Sequence, residues 1–247
     1  MSVTQRELRE LLDSKPMRAP ALPAERETLW ISLLVGSISL LVYLLCLPRS
    51  PVTPIGAWLA LSPPPEGIEV LVRDGILRRI ANGLEWLLPA GVNSPAGSVL
   101  GALLVSASSM LTCLWLRQQD IGRRAAVIGG LLLAFSLPTW HLAVRGEPWA
   151  LPLFLGLAAL AAHGQWYSTR KSRWHLISHS FLGFGIACGP EISPVVLFLF
   201  LSRLATREGH RSTHRWWPVA VTGLACGYLL AGLASGIGGG FAAATIA

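Results

Sequence analysis

The sequence predicts an all-α polytopic membrane protein, a bundle of about seven transmembrane or half-membrane helices with an outer amphipathic surface helix. Three observations predict this fold class. Only 13% of the 247 residues are charged and 52% are hydrophobic, whereas soluble domains carry about 25% charged residues. Several apolar runs approach the ~20 residues needed to cross ~30 Å of hydrocarbon. The basic residues behind the net charge of +7 lie scattered between those runs. Membrane orientation explains that distribution, and nucleic-acid binding does not.

The elements follow in order. Residues 1–28 are polar, with Arg6, Arg9, Lys15, Arg18 and Arg26 among them, and read as a cytoplasmic N-terminal tail. A secretory signal would set its apolar region close behind a short basic start and end at small residues. Here the apolar run begins near Leu29 and ends in LCLPRSP, so 29–47 is predicted as an uncleaved first transmembrane helix. An outer loop takes 48–95. A transmembrane bundle spans 96–235, with crossings predicted at 96–116, 125–141, 149–166 and 217–235. The Gly/Ala-rich end is 236–247. Four cysteines, one per apolar segment and none in CxxC spacing, support neither a zinc site nor a disulfide framework.

The segment 176–201 is apolar except for CGPEISP in its middle. A single crossing there would put Arg203, Arg207, Arg211 and Arg215 outside, against the positive-inside rule. A chain that turns back at Gly189-Pro190 keeps them in the cytoplasm, and Pro190 disfavours a continuous helix. Two half-helices are therefore predicted, about 176–188 and 192–202, shielded by neighbours. This topology places 15 of the 20 Lys and Arg inside, with the N-terminus cytoplasmic. Tryptophans at span ends, such as Trp30, Trp140, Trp149, Trp166 and Trp174, read as an interfacial belt.

On the outer side the loop opens with PRSPVTP and SPPPEG and continues as EGIEVLVRDGILRRIANGLEWLLPAG. Ile68, Leu71, Val72, Ile76, Ile80 and Leu84 recur at helical spacing opposite Arg73, Asp74, Arg78 and Arg79, the pattern of an amphipathic helix on a membrane surface or cushioning a bundle. Glu147 and Glu191 fall in bends between spans, where a charge is costly unless partnered or wetted. Arg145 and Glu147 either pair with each other or line an outward-opening polar pocket, with His141 beside them. His163, His175 and His179 are placed at cytoplasmic ends, without metal spacing.

FSLPTWHLAVRGEPWALPLFLGLAAL (135–160) resembles a segment of the bacterial protein O-mannosyltransferase-like family of the GT-C glycosyltransferase superfamily. LLPAG (87–91) and FGIACGPEISPVVLFL (184–199) also fit family patterns, and SPPPEG (62–67) is a fainter echo of a His-Pro-Pro-Gly element. The resemblance covers about residues 29–205, the N-terminal membrane module of that family. It implies a bacterial inner-membrane protein that takes a sugar from a polyprenyl-phosphate carrier on the outer face and passes it to an acceptor. Glu147 falls on a family glutamate. An acid takes the acceptor proton, and cations hold the departing phosphate. The catalytic candidates are Glu147, Glu66 and Asp74, and the substrate-binding candidates are Arg145, His141, Arg78, Arg79 and Glu191. No cofactor is assigned, and a divalent metal is compatible with the chemistry.

The chain departs from the family in specific places. The acidic motif expected soon after the first span is absent, because PVTPIGAWLALSPPPEG has no carboxylate before Glu66. Ser62 replaces the histidine of the proline element, and Gly189-Pro190 replaces an Asn-His pair. Those losses raise a second reading, a non-catalytic membrane subunit. Its last helix would pack into a larger complex through Gly223, Gly227, Gly232 and Gly236, whose spacing lets helices approach closely. A transporter centred on Glu191 is a third reading, without the paired repeats such proteins show. The partners predicted are membrane lipids, a polyprenyl-phosphate sugar and a protein docked on those glycines, with no nucleic acid.

Overall fold

The computed structural model describes residues 25–47, 72–87, 96–189, 192–197, 199 and 209–235. Glu66, Glu191 and Gly236 lie outside these residues, as do the side chains of Asp74 and Arg78. The described chain is helical, with no strand among the described residues. Its helices are α1 (Glu25–Cys46), α2 (Val72–Leu87), α3 (Ala96–Gln118), α4 (Arg123–Phe135), α5 (Leu137–Arg145), α6 (Ala150–Thr169), α7 (Ser172–Cys188) and α8 (Gly209–Ser235). Two stretches are long and apolar enough to cross a membrane, Arg26–Cys46 and Ala96–Gln118, and the bent pair α4–α5 makes a third if it is one span. An integral membrane protein with two or three candidate spans is thus supported, fewer than the seven helices expected. Polar residues account for the shortfall. His163, Gln165 and Ser168 dilute the end of α6, while α7 has 17 residues, about 25 Å of rise. The apolar part of α8 covers only Pro218–Ala231.

α1 shows how a membrane helix divides its faces. Thr28, Ile31, Ser32, Val35, Ser39 and Tyr43 are buried at helical spacing, while Trp30, Leu34, Leu41 and Leu45 are exposed. Leucines facing lipid carry no penalty, so packing rather than hydrophobicity selects the inward face. That face runs antiparallel to α3: Gly36 meets Ser106 and Met110, and Thr28 lies near the Arg117 end. The inward hydroxyls bond back to their own helices, Ser32 to the Thr28 carbonyl at 2.9 Å, Ser39 to Val35 at 2.9 Å and Ser109 to Val105 at 3.0 Å. No polar partner is needed across the seam.

The crossing predicted over 125–141 is broken. α4 and α5 meet at Ser136 with a bend of 58°, and Pro138 stands in the first turn of α5. Proline has no N–H to give to the carbonyl four residues back, which is that of Ala134. One side chain replaces the missing donor: the fully buried Tyr43 hydroxyl donates to the Ala134 carbonyl. The Leu133 carbonyl takes the Ser136 N–H at 3.3 Å together with the Ser136 and Thr139 hydroxyls.

α6 and α7 form a tight antiparallel hairpin, turned at Arg170 in the left-handed region (φ 55°) and tied by Ser178 Oγ donating to the Ala159 carbonyl at 2.9 Å. After Cys188 the helix stops at Gly189, φ 153°, whose N–H bonds the Gly185 and Ile186 carbonyls. Helical backbone resumes over 193–197. Ile192 folds back onto Gly185, and Val195 reaches Gly156 of α6. α8 then lies along α7 in the same direction. Gly223 meets Leu176 and His179, and Gly227 meets Ser180 and Phe184, so residue numbers rise together on both helices.

α2 packs onto the bundle, one of the two placements its periodicity allows. Its Ile76, Leu77 and Ala81 are buried in one cluster with Ala96, Leu151, Cys188, Ile192 and Ala231, while Ile80 is 41% exposed. The apolar stripe is rotated from the one the periodicity suggested, because α2 closes an end of the bundle. α8 begins at Gly209, eight residues ahead of the crossing predicted over 217–235.

The described charges separate along the bundle. Arg26, Arg117, Arg123, Arg124, Arg170, Lys171 and Arg173 gather at one end, the basic end. There Arg123 meets Glu27 at 3.2 Å in an exposed ion pair that is worth little by itself. Arg145 and Glu147 stand at the opposite end.

The repair at Ala134 is testable. Tyr43→Phe leaves a buried carbonyl short of its donor and is expected to lower unfolding free energy by about 1–3 kcal/mol. Tyr167→Phe, at a residue 52% exposed, is expected to change nothing measurable. Denaturant or thermal unfolding in detergent reads both.

Candidate functional site

The sequence placed its site in the bend between α5 and α6, and the structure shows how that bend is held. α5 ends at Arg145, and Gly146 caps it in the left-handed conformation, φ 66° and ψ 38°, with its N–H on the Leu142 carbonyl. The Glu147 N–H bonds the same carbonyl at 3.3 Å. A Cβ on Gly146 would lie 2.6 Å from the Gly97 carbonyl carbon, and one on Gly101 would lie 2.8 Å from the Leu142 oxygen. Gly97 and Gly101 thus form a small-xxx-small pair on α3 against which the bend is pressed. The sequence reading singled out the glycines of the last helix and passed over this pair.

Arg145, Glu147 and His141 are all half-buried. His141 and Arg145 are four residues apart on α5, hence on one face. Among the described residues no ion pair joins Arg145 to Glu147, so the mutual pairing offered by the sequence is not what this structure shows. Trp149, exposed beside them, marks a polar–apolar border. α2 closes the same end and brings the exposed Arg79 and the backbone of Asp74 and Arg78 to it. The structure therefore gathers Arg145, Glu147, His141 and α2 at one end of the bundle. Among the described residues, no group of three or more His, Cys, Asp or Glu could hold a metal ion.

Two of the four glycines expected to receive a partner face a neighbouring helix of the same chain. Gly223 and Gly227 form the seam of α8 against α7, and Gly232 belongs to the same helix. None of the four cysteines forms a disulfide among the described residues; Cys113 and Cys188 are buried and Cys46 and Cys226 exposed.

A second constellation was missed. Trp166 and His175 stack with ring centroids 4.5 Å apart, His163 lies 5.1 Å from Trp166, and His175 meets His179 at 4.3 Å. His175 is fully buried, and His179 Nδ1 lies 2.8 Å from the His175 carbonyl. These residues are the packing between α6, α7 and α8, not loop residues, and Trp166 is not part of a belt. The signal available was the i, i+4 spacing of His175 and His179 opposite His163 across a two-residue turn. A 490 Å³ groove near the basic end was also not foreseen.

Gly146→Ala is expected to destabilise the protein by about 2 kcal/mol or more, since the left-handed backbone disfavours a side chain and Gly97 leaves no room for one. It should also shift the Trp149 fluorescence. Gly122→Ala, with open space around it and ordinary φ, is the control expected to do neither. No known protein family, no curated protein and no solved structure matches this chain.

Proposed function

We propose that this chain is a GT-C-related membrane protein whose end opposite the basic turns receives the phosphate-sugar head of a polyprenyl carrier, with the basic end toward the cytoplasm. One observation carries the reading. Arg145 and Glu147 are presented half-buried and not paired with each other, from a bend that Gly146 fixes against α3. Opposite charges at a span boundary need a polar partner or water, and a fixed backbone lets them serve as a preorganised pair. A guanidinium matches phosphate oxygens in fork geometry. A carboxylate next to it suits an acceptor hydroxyl.

In the transfer, the acceptor oxygen bonds to the sugar's anomeric carbon as the bond from that carbon to the phosphate oxygen breaks. Glu147 takes the hydroxyl proton, and Arg145 holds the departing lipid phosphate. α2 lies over the same end and contributes Arg79, with Arg78 and Asp74 on the same helix. Positive-inside placement supports the orientation, since basic residues of α3, α4, α7 and the α6–α7 turn share the other end.

Labelled polyprenyl-phosphate sugar, supplied to the purified protein with a hydroxyl acceptor peptide, tests the proposal. Glu147→Gln is expected to reduce turnover by about 10²–10⁴-fold with donor binding kept, the usual range for losing a general base. Arg145→Gln is expected to weaken donor binding. Binding without turnover in the unmodified protein would leave a carrier-binding relative. Neither binding nor turnover would overturn the reading.

A further inference from the structure

The basic end holds a feature that sugar transfer at the other end does not use. Between α1, α3, α6 and α7 runs a groove of about 490 Å³. Its inner walls are apolar: Met110 and Leu114 from α3, Phe154, Ala158 and Ala161 from α6, and Phe181 from α7. Its mouth is polar, with Arg117, Gln118, Gln165 and Ser168, and Trp174 stands beside them.

The groove reaches from Ser168 to Phe154 on α6 and from Trp174 to Phe181 on α7, about 10–20 Å of helix at 1.5 Å per residue. One leaflet of hydrocarbon is about 15 Å deep, half the bilayer core. A slot of that depth, apolar inside and polar at one end, has the shape of a single lipid chain beneath its headgroup.

The charges choose the headgroup. Arg117 gives one N–H to the Ile121 carbonyl at 3.0 Å, and its Nε is buried with no hydrogen-bond partner among the described residues. Arg26, Lys171 and Arg173 are exposed at the same end, and the Arg173 guanidinium lies 5.6 Å from the ring centre of Trp174. The nearby carboxylate Glu27 is taken by Arg123. A mouth this basic favours an anion.

We propose that the groove is a binding site for one chain of an anionic phospholipid from the leaflet at the basic end, with Arg117 at its phosphate. The lipid lies beside the apolar packing of α3 on α6, next to the Gln118–Gln165 hydrogen bond at 3.1 Å, and touches α1 and α7 as well.

The test uses the full chain purified in mild detergent. Phosphatidylglycerol or phosphatidylcholine with identical chains is added as mixed micelles, and binding is read by native mass spectrometry and by the shift in unfolding temperature. The expected result is one phosphatidylglycerol per chain, bound about five-fold more tightly than phosphatidylcholine, since a basic side chain near an anionic head contributes about 1 kcal/mol. Ile177→Trp, which adds volume at a lining residue that is 36% exposed, is expected to lower occupancy. Arg117→Gln is expected to abolish the preference between heads and keep chain binding. Leu132→Trp, on the exposed side of α4, is expected to change neither. Equal binding of the two lipids by the unaltered chain overturns the proposal. So does undiminished binding in Ile177→Trp with helicity intact, or an isoprenoid phosphate retained in place of the glycerophospholipid.

Discussion

A helix interrupted inside a membrane must satisfy its freed backbone groups within the protein, because no water is there to do it. The rest of this structure depends on how that constraint is met at two places. At Ser136 the Pro138 ring leaves the Ala134 carbonyl without its helical donor, and Tyr43 from another helix supplies one. At Gly189 the terminal N–H bonds back to Gly185 and Ile186, and the chain turns on a backbone conformation favourable to glycine. The first repair fixes the angle of α5, which drops the Arg145–Glu147 bend onto Gly97 and Gly101. The second ends α7, along which α8 lies in the same direction.

The antiparallel order of α1, α3, α6 and α7 has an electrostatic consequence. The described basic residues of α1, α3, α4, α7 and the α6–α7 turn lie at one end of the bundle, and the opposite end keeps the sparse charges of the α5–α6 bend and α2. The two ends then offer different chemistry. One has an Arg and a Glu on a glycine-held bend, the pair we propose for a phosphate and a hydroxyl. The other has a leaflet-deep apolar slot under a ring of cations. A bundle made of small-residue contacts suits this arrangement, because close backbone approach at Gly130, Gly183 and Gly227 packs helices without a hydrophobic driving force between them.

Much of the fold was legible in residue order. The first helix, the α3 helix and the α6 helix follow from apolar runs bounded by polar turns, and the break near Gly189 follows from charge placement and Pro190. The break at Ser136 was not read, although Pro138 stood in the predicted span. A proline in a membrane helix is tolerated as often as it breaks one, and the deciding group, Tyr43, is 91 residues from Ala134. The placement of α2 stays open in the sequence because its periodicity fits either a membrane surface or the end of a bundle, and only tertiary packing shows the contact with the bundle. The His163–Trp166–His175–His179 stack escaped notice because α6 and α7 had been bounded too short to bury it. At the candidate site the residue types were legible, whereas the glycine pair that holds the bend was hidden among many similar spacings.

The central claim is that α7 and α8 run in the same direction, and spin-label distances measure it most directly. Labels at Leu176 with Val221, and at Leu176 with Leu233, occupy exposed positions on the two helices. The account predicts that the 176–221 pair is close and that the 176–233 pair is longer by up to about 18 Å, the rise of twelve helical residues. The reverse order would make the helices antiparallel. Gly223 and Gly227 would then not meet Leu176 and Ser180, and α8 would start at the end that holds the α5–α6 bend.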